Sequence, residues 1–403
     1  MTTSLAERLR RLGVIRGARH LQPRQHPPAI ERLLPQGQVV HTEHGPFFLL
    51  RQVHNPTERH GGHTLGELLN RDLYTAARLA RDERLAGVDP ERIAFVDTET
   101  TGLRGAGTYA FLIGVGLFET GRFVIYQFFM RDYGEEEAQL RAVGQLLRGM
   151  AAVVSFNGKG FDLPLLESRF ILARQPPPLE DVPHLDLLPV ARRLWKYRLA
   201  SCSLASLERE VLGIQRSQED IPGRLIPTLY ADYIRSGDAR PLPRIFYHNA
   251  QDILSLVTLT VRLCSLTDAL PPEGQIPGED LYGLGRIWQE LGQGEQAEQA
   301  LIRAATSAAA EQVRQRAMSD LASLLKQQGR RSEAIVWWRR LAESGSARAC
   351  EELAKHYEWH EGDLDQAITW TQQGMTLCDG ATLAAFEHRL ARLKRKKEMT
   401  SPT

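Results

Sequence analysis

The hydrophobic positions between residues 92 and 265 change period along the chain, from short apolar runs broken by glycine to longer helical stretches. Three apolar runs come first, then an amphipathic stretch, then a fourth apolar run: IAFVD (93–97), YAFLIGVGLF (109–118), RFVIYQFFM (122–130), EEEAQLRAVGQLLRGM (135–150) and AAVVSF (151–156). Such runs predict strands, and the short glycine-bearing turns between the first three predict an antiparallel meander. The helix before AAVVSF supplies the crossover that a parallel strand requires. The pattern therefore predicts an α/β fold built on a mixed sheet flanked by helices.

The segments before residue 91 and after residue 267 have different patterns from the region between them. Residues 1–90 combine scattered prolines with one short apolar run at 47–50, and we interpret them as an N-terminal supporting extension of a domain at 91–267. The segment DALPPEGQIPGED at 268–280 is rich in proline, glycine and acids, which is typical of a linker. We therefore expect a chain that ends near residue 270 to fold by itself.

The C-terminal part of the chain, residues 281–390, contains an internal repeat. A glycine is followed five residues later by an alanine three times, each time between apolar helical stretches, at Gly292 and Ala297, Gly329 and Ala334, and Gly362 and Ala367. Small residues that recur with a period of about 34 favour tetratricopeptide-like helix pairs, with plain α-helical hairpins as the alternative. We therefore predict an all-α helical-repeat domain suited to a protein partner, followed by a basic tail at 391–403.

Composition excludes several classes of protein. The 403 residues are 42% hydrophobic and 25% charged, as in an ordinary globular protein, and no apolar run reaches the roughly 20 residues of a membrane helix. We therefore expect a cytoplasmic protein with no membrane partner. Four widely spaced cysteines without a CxxC pair argue against a disulfide framework and against a cysteine zinc site. Because the net charge is only +1, a nucleic-acid partner must be recognised from local features.

The most informative sequence is IAFVDTETTGL at 93–103, where an apolar strand ends in two acids. Alternation along a strand places Asp97 and Glu99 on the same face. Two carboxylates this close repel one another unless a cation neutralises them, and Mg²⁺ or Mn²⁺ prefers such oxygen ligands. An acid pair in an ordinary strand-end turn is the alternative, which the following residues TTGL at 100–103 disfavour.

A second candidate acid follows a buried strand in VVSFNGKGFDLPLLESRF at 153–170. The strand breaks at a glycine-rich turn that contains Asn157 and Lys159, and we predict a helix that begins near Asp162. A carboxylate at this position faces the carboxyl edge of the sheet, where α/β sheets place their ligands. We expect Asn157 and Lys159, together with Thr100, to contact the substrate, Lys159 through the phosphate backbone. The alternative is that Asp162 caps the helix and Asn157 forms the turn.

The third motif lies in RIFYHNAQDILSLVTLTVRL at 244–263, which predicts an amphipathic helix with Asp252 near its start. On ideal helix geometry His248 lies about 40° round the helix from Asp252, whereas Tyr247 lies about 140° away. If the first turn is helical, His248 shares the face of Asp252 and is the leading candidate for a general base. A structural histidine beside an acid is the alternative.

The sequences DTETTGL, FNGKGFD and HNAQD, in this order, resemble the three exonuclease motifs of the ribonuclease-H-like DEDD (DnaQ-like) superfamily. Within it the chain is most similar to the YprB-like proteins, because GTYAFLIGVG, HLDLLPVARRLW, SCSLASLE, DIPGRLIPTLY and YHNAQDILSL resemble stretches of that family. The resemblance covers about residues 85–265, and the tetratricopeptide-like repeats fit it too. It implies a nuclease that hydrolyses phosphodiester bonds of DNA or RNA, as a 3′-to-5′ exonuclease acting on single-stranded ends.

The resemblance also implies a centre with two divalent ions, Mg²⁺ or Mn²⁺. Asp97, Glu99 and Asp252 would hold the first ion, whereas Asp97 would bridge to the second and Asp162 would support it. The histidine branch of the superfamily places His five residues before the last Asp, and the tyrosine branch places Tyr four before. Here Tyr247 is five before and His248 four before, so the two residue types are transposed and both stay open as the base.

Two hypotheses from different classes follow. The first is an active two-metal nuclease, and the second is a nucleic-acid-binding scaffold with an inactive nuclease fold that acts through its repeats. The presence of all four carboxylates favours the first. The histidine-rich stretch at 41–63 has no familiar zinc-ligand spacing, so we expect no zinc site there. The basic run at 389–397 fits a solvated helix face better than a phosphate-binding tail.

Overall fold

The structure of the protein, a computed structural model, describes residues 27–102 and 107–400. Its strands are β1 (Gly37–Thr42), β2 (Gly45–His54), β3 (Arg59–His60), β4 (His63–Thr64), β5 (Ile93–Thr100), β6 (Ala110–Glu119), β7 (Arg122–Phe129), β8 (Ala152–Ser155) and β9 (His184–Asp186). Seven of them form one sheet in the order β1-β2-β7-β6-β5-β8-β9, and β3 pairs with β4 alone. The large sheet carries the three sequence motifs on and beside its central strands.

The large sheet is mixed, as the sequence predicted. β5, β6 and β7 form the predicted antiparallel meander, and β8 and β9 follow in parallel on the other side of β5. The helix between β7 and β8 makes the predicted crossover. A helical region follows the sheet in the chain. The predicted fold class, a mixed sheet flanked by helices and followed by an all-helical region, is therefore confirmed.

Alternate residues of β5 pack against helices on opposite faces of the sheet. The α-helices of the described residues up to Asp268 are α1 (Ile30–Leu33), α2 (Tyr74–Ala80), α3 (Glu136–Leu147), α4 (Asp162–Leu172), α5 (Leu187–Trp195), α6 (Leu204–Leu207), α7 (Ile226–Ser236) and α8 (Leu242–Asp268). Phe95 belongs to a buried cluster with Ile253 of α8, whereas Val96 belongs to another with Leu140 of α3 and Leu166 of α4. The alternation continues past Val96, so Asp97 is directed toward α8 and Thr98 toward α4.

The N-terminal extension supplies two strands of the same sheet. β2 pairs antiparallel with β7, and Phe48 lies opposite Phe129, both fully buried. The sequence analysis identified the apolar run at 47–50 but not its partner, because pairing with a distant strand leaves no local pattern. The sheet therefore begins well before residue 91, the predicted start of the domain.

The helical region contains three helix pairs and a final helix: α9 (Gly278–Glu290), α10 (Gly294–Ser307), α11 (Glu311–Gln327), α12 (Arg331–Glu343), α13 (Ala347–His356), α14 (Leu364–Met375) and α15 (Gly380–Thr400). The turn glycines identified in the sequence have φ between 70° and 78°, a left-handed conformation that suits glycine at helix ends: Gly292, Gly329 and Gly362. The alanines five residues later are fully buried: Ala297, Ala334 and Ala367. Of all the helices in the described ranges, none is long and apolar enough to cross a membrane.

The junction between the sheet and the helical region is a packed interface. The segment predicted as a linker ends early, because α9 begins at Gly278. Arg198 donates two hydrogen bonds to the buried carboxylate of Asp280, at 2.8 and 2.9 Å. A Cβ atom on Gly283 would stand 2.2 Å from the carbonyl oxygen of Leu194, so α9 and α5 touch backbone to backbone. One hydrophobic cluster continues across this junction. This packed interface argues against the expectation that a chain ending near residue 270 folds by itself, which stays a prediction.

The predicted basic tail is the second half of α15 as far as residue 400. Arg392 binds the carboxylate of Glu358, which is fully buried, and Lys396 lies 3.8 Å from it. Lys397 donates to Asp365 on α14. These cations pair with acids on α14 and in the turn Tyr357–Glu361 between α13 and α14, so the last helix contacts the preceding helix pair.

Candidate metal centre

Two of the four candidate ligands stand on β5, between an antiparallel and a parallel neighbour. Asp97 lies opposite Gly114 of β6 and Glu99 opposite Leu112. The register shifts between Glu99 and Thr100, so the strand becomes irregular directly after the second acid. The hydroxyl group of Thr100 donates to the carbonyl oxygen of Gly102 at 2.7 Å and closes this turn. Leu103, the last residue of the motif, lies outside the described residues.

Asp162 is the first residue of α4, as the sequence predicted, and it does not cap that helix through its side chain. Its carboxylate accepts a hydrogen bond from the hydroxyl group of Thr98 on β5. A cleft of about 860 Å³ runs along this helix and is lined by Thr98, Thr100 and Asp162, with the exposed apolar side chains of Phe161 and Leu172. Thr100 and Asp162 therefore face one open cleft.

The turn before α4 is shaped by its backbone. Asn157 has φ 67°, the left-handed conformation that asparagine tolerates better than most residues. The buried carboxylate of Asp186 accepts hydrogen bonds from the backbone N–H groups of Asn157 and Lys159, at 2.7 and 3.1 Å. Lys159 lines a second cavity of about 420 Å³ together with His184, and it is absent from the lining of the first cleft. Asn157 thus has the turn-forming role that the sequence analysis kept as an alternative.

The first turn of α8 is helical, so His248 and Asp252 share a face. His248 Nε2 lies 3.5 Å from Asp252 Oδ2. Ligand atoms of Glu99, His248 and Asp252 all lie within 4.8 Å of one another. Tyr247 points elsewhere, and its hydroxyl group accepts a hydrogen bond from the backbone N–H of Ser217 at 3.3 Å. The geometric prediction for the third motif is therefore met, whereas the role of His248 stays a prediction.

Burial and mutual repulsion disfavour the charged forms of these acids. Burial raises the pKa of Asp97 well above its ordinary value, and the negative charges of Asp252 and Asp162 raise it further. Burial likewise raises the pKa of Glu99, with added contributions from Asp97 and Asp252, and burial raises the pKa of Asp162. Carboxylates gathered in this way favour a divalent cation, which offsets their repulsion and prefers oxygen ligands. The residues present fit a metal centre.

The sequence analysis missed a cation that lies inside the centre. Arg216, in the segment between α6 and α7, donates to Asp252 Oδ1 and makes two hydrogen bonds to Glu208, at 2.5 and 2.7 Å. The side chain of Glu208 is 2% exposed and accepts a further hydrogen bond from Ser255. His248 Nδ1 lies 2.7 Å from Asp220 and 3.1 Å from Arg216. No local pattern marks Arg216, because a single arginine in an irregular segment carries no periodicity.

Comparisons with known proteins agree with this architecture. Residues 94–264 match a family model of the RNase_H superfamily. The mixed sheet, the acidic centre and this match define a ribonuclease-H-like protein, a class whose membership indicates a nuclease. Over 365 residues the chain is 33% identical to the uncharacterized protein YprB of Bacillus subtilis (strain 168). The matched region covers 87% of this chain and 86% of that protein. The chain therefore belongs to the YprB family, as its motifs suggested.

Proposed function

We propose that this protein is a metal-dependent nuclease of the DEDD type that removes nucleotides from single-stranded DNA or RNA ends in the 3′-to-5′ direction. The observation that carries the proposal is the meeting of half-buried carboxylates from three separate elements, β5, α4 and α8, beside the cleft that Asp162 lines. Such an arrangement is costly without a cation, because each carboxylate raises the pKa of its neighbours. We propose that residues 91–267, with the strands from 37–54, form the catalytic unit.

The ligand roles follow the sequence-based prediction. Asp97, Glu99 and Asp252 would hold one Mg²⁺ or Mn²⁺ ion, and Asp97 with Asp162 would hold a second. Bound divalent ions supply charge neutralisation and a nucleophile at neutral pH in phosphodiester hydrolysis. Thr98 orients Asp162 by its hydrogen bond, and Arg216 orients Asp252 in the same way. The carboxylates of Asp162 and Asp252 are thus hydrogen-bonded before an ion arrives.

We propose His248 as the group that accepts a proton. In the tautomer that carries its proton on Nδ1, His248 donates to Asp220 at 2.7 Å, and Nε2 faces the side of Asp252 as a free base. Thr100 would contact the substrate from the cleft wall, and Phe161 and Leu172 offer apolar surface for unpaired bases. Lys159 and Asn157 are proposed contacts at the neighbouring turn, where Lys159 would meet a phosphate.

The test uses purified full-length protein with Mn²⁺ or Mg²⁺ on oligonucleotides labelled at either end. We expect shortening from the 3′ end, faster on single strands than on duplexes, abolished by EDTA and by the Asp97→Asn variant. Comparison of DNA with RNA identifies the preferred polymer. Activity that is equal in Asp97→Asn and the wild-type protein would refute the metal assignment.

One observation favours a second candidate, a scaffold that binds nucleic acid without cleaving it. The guanidinium group of Arg216 pairs with Asp252 as well as with Glu208, so part of the negative charge of the acidic centre is offset without a metal. In this alternative the helical repeats would recruit a protein partner, and a cavity of about 240 Å³ lined by Arg316, Ser319 and Ser346 offers polar surface for it. Binding of single-stranded oligonucleotides with no cleavage in any divalent ion would favour this candidate.

A further inference from the structure

A chain of buried amide groups connects the sheet to Asp97. Gln127 of β7 and Asn249 of α8 are both fully buried. Gln127 Nε2 donates to Asn249 Oδ1 at 2.9 Å, and Asn249 Nδ2 donates to Asp97 Oδ2 at 2.8 Å. The same Asn249 nitrogen lies 3.3 Å from the backbone oxygen of Asp97. Asn249 therefore donates a hydrogen bond to the carboxylate of Asp97, the candidate ligand that both ions would share.

The direction of both amides is determined by the groups at the two ends of this chain. Gln127 Nε2 also donates to the backbone oxygen of Phe246 at 2.8 Å, and a carbonyl oxygen can only accept. The nitrogen of Gln127 must therefore face α8, which requires Asn249 to present its oxygen to Gln127 and its nitrogen to Asp97. A flip of Asn249 would set nitrogen against nitrogen at Gln127 and oxygen against oxygen at Asp97.

The close approach that this chain needs is provided by Gly114, the partner of Asp97 across β5 and β6. A Cβ atom at Gly114 would lie 2.3 Å from Asn249 Oδ1 and 2.5 Å from Ile253 Cδ1. Only a residue without a side chain lets α8 lie this near to β6. The packing of the helix on the sheet thus brings the amide of Asn249 to the candidate metal ligand.

We propose that Asn249 and Gln127 are positioning residues that hold Asp97 in the orientation needed to bind a divalent ion. This proposal rests on the proposed function, in which Asp97 is a metal ligand. Hydrogen bonds from outside the ligand set orient ligands in metal sites, and their loss lowers metal affinity by roughly 10- to 100-fold. Gln127 makes no contact with any candidate ligand in the hydrogen bonds described, so its effect would pass through α8, by way of Asn249 and the backbone of Phe246.

The experiment measures the affinity of the full-length protein for Mn²⁺ alone, without substrate, by titration calorimetry. The variants are Gln127→Met and Asn249→Ala, with Asp97→Asn as the ligand deletion. Gln139→Met is the matched control, because Gln139 is an equally buried glutamine that donates to two backbone oxygens, of Phe111 and Phe128, away from the centre. Circular dichroism and thermal melting verify folding.

We expect Gln127→Met and Asn249→Ala each to weaken Mn²⁺ binding at least about 10-fold. Gln139→Met should lower the melting temperature and leave Mn²⁺ affinity within about threefold, a difference in affinity too small to count as a lost contact to the metal ligands. If Gln127→Met does not fold, Asn249→Ala decides the question. Loss of binding in Asp97→Asn without loss in a folded amide variant overturns this proposal alone. Unchanged binding in Asp97→Asn overturns the proposed metal centre, and the positioning role with it.

Discussion

The packed junction between the sheet and the helical region predicts that breaking one buried ion pair, between Arg198 and Asp280, destabilises the whole chain. The perturbation is Asp280→Asn, which keeps the shape of the side chain and removes its charge. Asp280 stands in the first turn of α9, and its side chain is 5% exposed, whereas that of Arg198 is 22% exposed. Burial raises the pKa of Asp280, and the attraction of Arg198 and Arg262 opposes this rise.

The expected cost follows from the asymmetry of buried ion pairs. Removal of one partner leaves the other charge buried, which destabilises a protein by about 3–5 kcal/mol. Because Arg198 is partly reached by water, we expect the lower end, about 3 kcal/mol. Replacement of both partners by apolar residues removes the unpaired charge. Arg198→Met with Asp280→Leu should therefore lose much less, about 1 kcal/mol, because an apolar replacement of a buried pair is often neutral.

The assay is urea unfolding of the full-length protein, of Asp280→Asn, of the single variants Arg198→Met and Asp280→Leu, and of their double variant. Far-ultraviolet circular dichroism and tryptophan fluorescence follow the unfolding. The two probes should give one shared transition in the wild-type protein, because a single hydrophobic cluster spans the junction. A coupling free energy between the two positions below about 0.5 kcal/mol would refute the reasoning. So would a chain ending at residue 270 that unfolds with wild-type stability.

Three further predictions concern the acidic centre. Asp97→Asn should abolish Mn²⁺-dependent cleavage and raise the metal-free melting temperature, and a cleavage assay with a melting curve checks both. His248→Ala should reduce the cleavage rate by about 10²- to 10⁴-fold and Tyr247→Phe far less, because only His248 faces Asp252; the reverse ranking of the two rates would contradict this. Asp97 and Glu99 have raised pKa values in the folded state, so their protonated forms stabilise the metal-free protein at low pH, and this stability is lost as pH rises through those values. In EDTA, the melting-temperature difference between Asp97→Asn and the wild-type protein should therefore grow with pH, and a constant difference would count against it.

Local features of the chain were determined by the sequence alone. The alternation of β5 predicted that Asp97 and Glu99 share a face, and the helical period of α8 predicted that His248 faces Asp252 while Tyr247 does not. The helix starting at Asp162 and the turn glycines of the repeats were also identified correctly. These features depend on backbone geometry over a few residues, so the sequence carries them without reference to the rest of the fold.

The surroundings of the centre were decided by tertiary structure. Arg216 reaches Asp252 from an irregular segment, and Gln127 reaches Asn249 from a strand distant in the chain. The pairing of β2 with β7 and the docking of α9 on α5 are also decided by tertiary structure. Each of these contacts joins residues that are far apart in the chain, and only the packing of side chains and the pairing of strands bring them together. Hydrophobic period and residue type are compatible with many such partners, so the choice among them is made by the three-dimensional fit of the whole core.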